Sequence, residues 1–154
     1  MSSLPHLVFL VRVAMTAVLL FPCALFAQDD RGALVVEITG FRNSDGQVGV
    51  LLFSGEEGFP MDHRLAVKKI FAGIDRNACR VKLENIPYGI YGVSVFHDEN
   101  ADGKLKKNFF GIPREGIGAS RNPAIRFGPP RFKEANFTLD SNEQSLAITI
   151  RYLQ

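Results

Sequence analysis

Apolar and polar residues alternate in short runs from residue 34 onward, and each run has the length of a β-strand. Residues 34–39 place Leu34, Val36 and Ile38 on one face. Residues 43–46 (NSDG) are a turn signal and residues 47–53 (QVGVLLF) the next strand, so the pattern predicts a hairpin. Glycines and a proline punctuate residues 54–64, which read as a loop. Residues 66–72 (AVKKIFA) fit a short strand or one helical turn. In residues 78–84, Cys79, Val81 and Leu83 alternate with Arg80, Lys82 and Glu84, the signature of a half-buried strand. Pro87 and Gly89 set up a tight turn into residues 91–97, where Tyr91, Val93 and Val95 face one way and Gly92, Ser94 and Phe96 the other. Tyr91, just inside that turn, is placed to hydrogen-bond the backbone behind it, as tyrosine corners do. Residues 135–139 and 146–153 supply two final strands. Six or seven short strands without a long helix predict an all-β fold, a single antiparallel β-sandwich of about seven strands with one long Gly/Pro-rich loop.

The N-terminus breaks this pattern. An uncharged apolar run from Val13 to Ala27 is followed at once by Gln28, Asp29 and Asp30. Its length suits the core of a secretory signal peptide and falls short of the roughly 20 residues of a membrane span. The expectation is export to the periplasm or beyond, with residues 1–27 removed and residues 28–154 forming the sandwich. An uncleaved anchor reaching back to Leu7 is the alternative, and would be the chain's membrane attachment. Phe21 and Pro22 argue against a lipid at Cys23. Once Cys23 has left with the signal, Cys79 is alone and forms no intramolecular disulfide. Its place among Val81 and Leu83 makes it a small core residue rather than a reactive thiol. The formal net charge of +2 implies no particular partner, and no nucleic-acid motif occurs.

Chemistry-bearing residues concentrate between Tyr88 and Asn122. Residues 98–104 read D-x-N-x-D-G-x. In an EF-hand loop, oxygens at the first, third and fifth positions hold calcium, glycine at the sixth turns the chain, and the carbonyl of the seventh completes that side. Here these are Asp98, Asn100, Asp102, Gly103 and the Lys104 backbone carbonyl, with Glu115 as a more distant oxygen donor. Phe109 stands where the bidentate glutamate belongs, and Lys106 where a ligand or bound water is wanted. Two readings stay open: calcium as the candidate cofactor, or a bare turn whose Asp and Asn side chains bond nearby amides. His97 would suit zinc but has no second His or Cys at ligand spacing. A hydrolytic set of Ser120, His97 and Asp98 or Glu115 can be written. However, Ser120 lacks the G-x-S-x-G context, and adjacent His97 and Asp98 on a strand point to opposite faces. No catalytic residue is assigned.

Residues 111–118 carry too much Gly and Pro for a helix or regular strand. Phe109, Phe110, Ile112 and Ile117 are expected to tuck beneath this loop as a satellite core, the alternative being a ligand-facing apolar patch. Lys104, Lys106, Lys107, Arg114, Arg121, Arg126, Arg131 and Lys133 face only Glu115 in opposition. They read as a solvated face, the alternative being contact with anionic envelope polymers or lipid headgroups. His97, Arg114, Glu115, Ser120 and Asn122 form the candidate ligand-binding set.

Residues 87–91 (PYGIY), 95–100 (VFHDEN) with Gly103-Lys104-Leu105, and 111–116 (GIPREG), together with Gly58-Phe59-Pro60, resemble an exported bacterial family catalogued as domain of unknown function 2141. The likeness runs from roughly Leu34 to Leu153. It implies a small secreted Greek-key β-sandwich of transthyretin-like or immunoglobulin-like style, and no activity, substrate or catalytic residue. Lys106 replaces the acidic residue usual in the family, which weakens a metal role in this chain. The leading expectation is a non-enzymatic exported protein that binds or scaffolds in the bacterial envelope through the 97–122 loop, its partner an envelope component or small ligand. A calcium-stabilised carbohydrate- or envelope-binding module comes second, and a hydrolase third.

Overall fold

A computed structural model describes residues 30–104, 106, 109, 113–125 and 128–153. The apolar run from Val13 to Ala27, Cys23, Lys107, Phe110, Gly111, Ile112 and Arg126 lie outside the described residues. The elements are β1 (Arg31–Thr39), β2 (Gln47–Phe53), β3 (Lys68–Ala72), β4 (Cys79–Pro87), β5 (Gly89–Asp98), β6 (Ile117–Ala119), a one-turn helix α1 (Phe132–Ala135), β7 (Phe137–Leu139) and β8 (Glu143–Thr149). They form an all-β sandwich. One sheet has the order β4-β1-β8 and the other β3-β2-β5-β6, with β7 pairing the first residues of β5.

The main core lies between the sheets. Leu34, Val36 and Ile38 of β1 meet Val48, Val50 and Leu52 of β2, with Val93 and Val95 of β5 and Ile148 of β8. A side chain as buried as Leu34, Ile38 or Leu52, each at most 1% exposed, contributes about 1.5–3 kcal/mol relative to exposure. The alternation read in β4 holds, with Val81 and Leu83 buried and Arg80, Lys82 and Glu84 exposed. Strands β2 and β5 behave differently. Their opposite faces are also covered, by a second cluster built on Leu51, Phe53, Phe96, Ile117 and Phe132. This explains why QVGVLLF is apolar almost throughout, since a strand buried on both faces shows no alternation.

Several expectations change. Strands β1 and β2 form no hairpin: β1 pairs with β4 and β8, whereas β2 pairs with β3 and β5. The doubly buried β2 belongs in the middle of the larger sheet, so the 40–46 turn crosses from one layer to the other. The β1–β8 pair is parallel, in an otherwise antiparallel arrangement. Residues 68–72 settle as the edge strand β3. Strand β4 continues past Glu84 through a bulge at Asn85, whose φ of 58° accompanies a register shift against β1. Residues 117 and 118, the end of the stretch read as irregular, form β6 with Ala119, because three residues suffice to pair with Ser94–Phe96 of β5. Tyr91 does close its corner, its hydroxyl donating to the Pro87 carbonyl at 2.8 Å.

The sheets are tied along one side beyond β8. Ile117 and Arg151 exchange backbone bonds of 2.9 and 2.8 Å. Next to them the Asn122 side chain acts as a surrogate strand: its Nδ2 donates to the Ala147 carbonyl at 2.9 Å and its Oδ1 accepts from the Thr149 amide at 2.8 Å.

Candidate functional site

The end of β5 carries His97, Asp98, Glu99 and Asn100, and the first three have their side-chain hydrogen bonds made within the protein. His97 is fully buried, and Phe41 meets its ring edge-on at 5.1 Å. Its Nε2 lies 2.8 Å from the Asp45 carbonyl and its Nδ1 2.6 Å from the Tyr152 hydroxyl. A carbonyl only accepts, so Nε2 carries the proton and Nδ1 accepts from Tyr152. The Tyr152 oxygen in turn accepts the Arg42 amide at 3.1 Å, and the Arg42 guanidinium sits over the Tyr152 ring at 4.6 Å. That guanidinium forks onto Glu99, with Nε to Oε1 at 2.7 Å and a second bond from Nη2 to Oε2. These bonds hold the Glu99 carboxyl below its usual range, against the opposing effect of partial burial.

Asp98, also fully buried, lies on the other side of the strand. Its carboxylate accepts from Gln47 Nε2 at 2.9 Å and from the Asp102 and Gly103 amides at 3.1 and 2.7 Å. Asn100 donates to Asp102 at 2.7 Å, and Asp102 accepts the Lys104 amide at 2.9 Å. Glu115 is buried and accepts the Lys106 amide at 2.9 Å. The oxygens of the cation-loop spacing are thus directed at amides, the geometry of Asx turns. Among the described residues no group of three or more His, Cys, Asp and Glu side chains could hold a metal ion.

Ser120 is fully buried. Its hydroxyl donates to the Ala135 carbonyl at 2.5 Å and accepts the Val93 amide at 3.0 Å. Val93 lies four residues along β5 from His97, about 13 Å at the rise of a strand, so the two do not meet. Arg114 is exposed. The loop residues of the candidate set are therefore dispersed between a buried corner, a sheet-closing contact and open surface. The satellite core also forms only in part. Ile117 joins the second cluster because β6 holds it opposite Phe96. Phe109, part of no strand, is 96% exposed.

A different region has the form of a site. On the outer face of the larger sheet, Phe71, Gly49, Phe96 and Ile117 lie in register across β3, β2, β5 and β6. The adjacent row is Lys69, Leu51, Ser94 and Ala119. The Phe96 ring leans over Gly49, where an added Cβ would lie 2.3 Å from the ring; only glycine leaves that space. Beyond these rows the sheet is capped by Phe59, edge-to-face with Phe53 at 5.4 Å, and by Phe132 of α1, edge-to-face with Phe59 at 5.6 Å. The cap stops short of Leu51 and Phe96. There a narrow cavity of about 30 Å³ opens, floored by Leu51, Phe96 and Ile117. Pro60, Met61 and His63 form one wall, and Ile125 and Pro130 another, with Gly103 closing a third side. The Ser94 hydroxyl donates to the Pro60 carbonyl at 2.6 Å and pins the first wall to the sheet.

A family model described as "Uncharacterized protein conserved in bacteria (DUF2141)" matches residues 36–147. The chain belongs to this family. No curated protein and no solved structure matches it. The matched span of this DUF2141 member contains the buried corner at the end of β5 except for Tyr152, and every described residue lining the outer-face cavity. Sequence reasoning missed Met61, His63, Lys69 and Ile125 because nothing in their local spacing marks them. The available signals were Gly49 inside a strand, which marks close approach by a neighbour, and the Gly58-Phe59-Pro60 segment, whose Pro60 lines the cavity.

Proposed function

We propose that this protein is a non-enzymatic binding module, exported to the bacterial envelope, that takes a small ligand with an apolar body into the outer-face cavity. The observation that carries this reading is the contrast in polar satisfaction. The conspicuous side chains His97, Asp98 and Ser120 are buried and spent on internal bonds, whereas the cavity, small as it is, offers an apolar floor with few polar groups among its described lining, a seat for an apolar group of a ligand. The 97–122 loop keeps a part in this reading through Gly103 and Ile117, but shares it with Pro60, Met61, His63, Ile125 and Pro130. Export rests on the apolar run from Val13 to Ala27; sequencing the mature N-terminus from a periplasmic fraction is expected to begin at Gln28, and a chain retaining Met1 in the cytosol would contradict it.

Binding is tested by calorimetric titration of the mature domain with the neutral probe 1-decanol. The expected result is saturable binding that is lost in Ile125→Trp, whose ring fills the mouth. Equal heat in the wild type and that variant, or none in either, would overturn the cavity as the site.

A further inference from the structure

We infer that Asn136 is an acceptor for an N-linked oligosaccharide, attached to its side-chain nitrogen outside the cytoplasm. This rests on the export proposed above and on nothing in the cavity. Of the asparagines in the chain, only Asn136 has a serine or threonine two residues later, in Asn136-Phe137-Thr138. That is the acceptor sequence for N-glycosylation, usable where it lies on the surface of an exported protein. The fold meets this condition. Asn136 follows α1 with an extended backbone, φ −68° and ψ 150°, and leads directly into β7. It is half-buried, and Thr138 is exposed. Thr138 pairs with Ile90, itself 57% exposed, whereas Phe137 pairs with Tyr91 and packs against the main core. Alternation along the extended chain therefore puts Asn136 and Thr138 together on the outer side. Glu134, two residues ahead and also exposed, gives the stretch an acidic flank that a cationic acceptor groove would hold.

The hydrogen bonds point the same way. The side chains of Asn43, Asn77, Asn100, Asn122 and Asn142 are all bonded within the protein. The Asn136 side chain and the Thr138 hydroxyl make no hydrogen bond among the described residues. Only the Asn136 backbone is held, its amide donating to the Phe132 carbonyl at 2.8 Å and its carbonyl accepting from Arg121 at 3.2 Å. A sugar on Nδ2 therefore breaks no internal bond and displaces no core side chain. In the transfer, Nδ2 attacks the anomeric carbon of an oligosaccharide carried on a lipid pyrophosphate. The C–N bond forms as the C–O bond breaks, the electron pair leaves with the pyrophosphate, and an amide proton passes to a base of the transferase. The Thr138 hydroxyl, able both to donate and to accept, is the group by which the transferase recognises the stretch.

The test expresses the full chain in a bacterial host supplied with an oligosaccharyltransferase and an oligosaccharide on undecaprenyl pyrophosphate. The periplasmic protein is expected to gain the mass of a single oligosaccharide, placed on Asn136 by peptide mass spectrometry. The gain is expected to vanish in Asn136→Gln and in Thr138→Ala, and to persist in Thr138→Ser. A second chain, with residues 1–27 replaced by the signal of an exported host protein, separates the two readings. Modification of that chain alone would remove export by the native segment while supporting Asn136 as the acceptor. Absence of the sugar from both chains, or a sugar that survives Asn136→Gln, would overturn the inference.

Discussion

The end of β5 and the outer face of the same sheet lie one residue apart at Phe96 and His97, yet they are built on opposite principles. At His97, Asp98 and Glu99 each polar side chain has a partner inside the protein, and the partners come from distant segments: Asp45, Gln47, Arg42 and Tyr152. Such a network is costly to break, because each lost partner strands a buried group. At Phe96 the neighbours are apolar, and among the described residues the second cluster leaves a narrow cavity beside it. Chemical conspicuousness in a sequence therefore marked a fastening, whereas the opening is lined by residues of unremarkable spacing, Leu51, Met61, Phe96 and Ile125 among them. Side-chain type alone does not separate the two cases. What separates them is whether the hydrogen bonds of those groups end inside the fold.

The sharpest way to break this contrast is at the residue both regions share a strand with. Phe96→Ala removes a side chain from the second cluster and is expected to cost about 3–5 kcal/mol in urea denaturation, and to widen the cavity so that ring-shaped ligands enter. Next comes the corner. Tyr152→Phe deletes the hydroxyl that serves both His97 and the Arg42 amide, leaving a buried imidazole nitrogen unpaired, for an expected loss of about 1–3 kcal/mol with decanol binding unchanged. A loss of binding in that variant would show that the corner and the cavity are coupled.

Acid gives a third test. Glu99 titrates below its ordinary value in the folded protein, chiefly through its bonds from Arg42. Its contribution to stability is therefore complete above the unfolded value near 4.3 and disappears as pH falls through the lower folded value. Arg42→Gln is expected to flatten the dependence of Tm on pH below about 4.3, and an unaltered profile would remove Glu99 from the corner's stability. The smallest effect is expected from calcium. With Asp98, Asn100 and Asp102 bonded within their own turn, millimolar calcium is expected to leave Tm unchanged; a ligand bound to the folded state alone would raise it.

How far the fold could be read from the chain depended on whether a strand has one buried face or two. Strand β4 showed its alternation because its outer face meets water, and Tyr91 announced its corner through Pro87 and Gly89. Strand β2, covered on both sides, carried no such signal, and its sheet and partners could not be read from QVGVLLF. The parallel β1–β8 pair joins segments a hundred residues apart, a relation with no local trace. The cavity was illegible for the same reason. Lys69, Leu51 and Ser94 are neighbours only through the register of three strands, and Met61 and Ile125 reach them from separate loops.

The central claim, that the outer face and not the acidic corner receives the ligand, is tested most directly by following backbone amide chemical shifts of the mature domain during a 1-decanol titration. The account predicts progressive shifts at Leu51, Met61, His63, Lys69, Gly103 and Ile117, with the amides of Asp45, Glu99 and Asn100 unmoved. Shifts confined to residues 97–100 and 113–116, with the outer face silent, would contradict it.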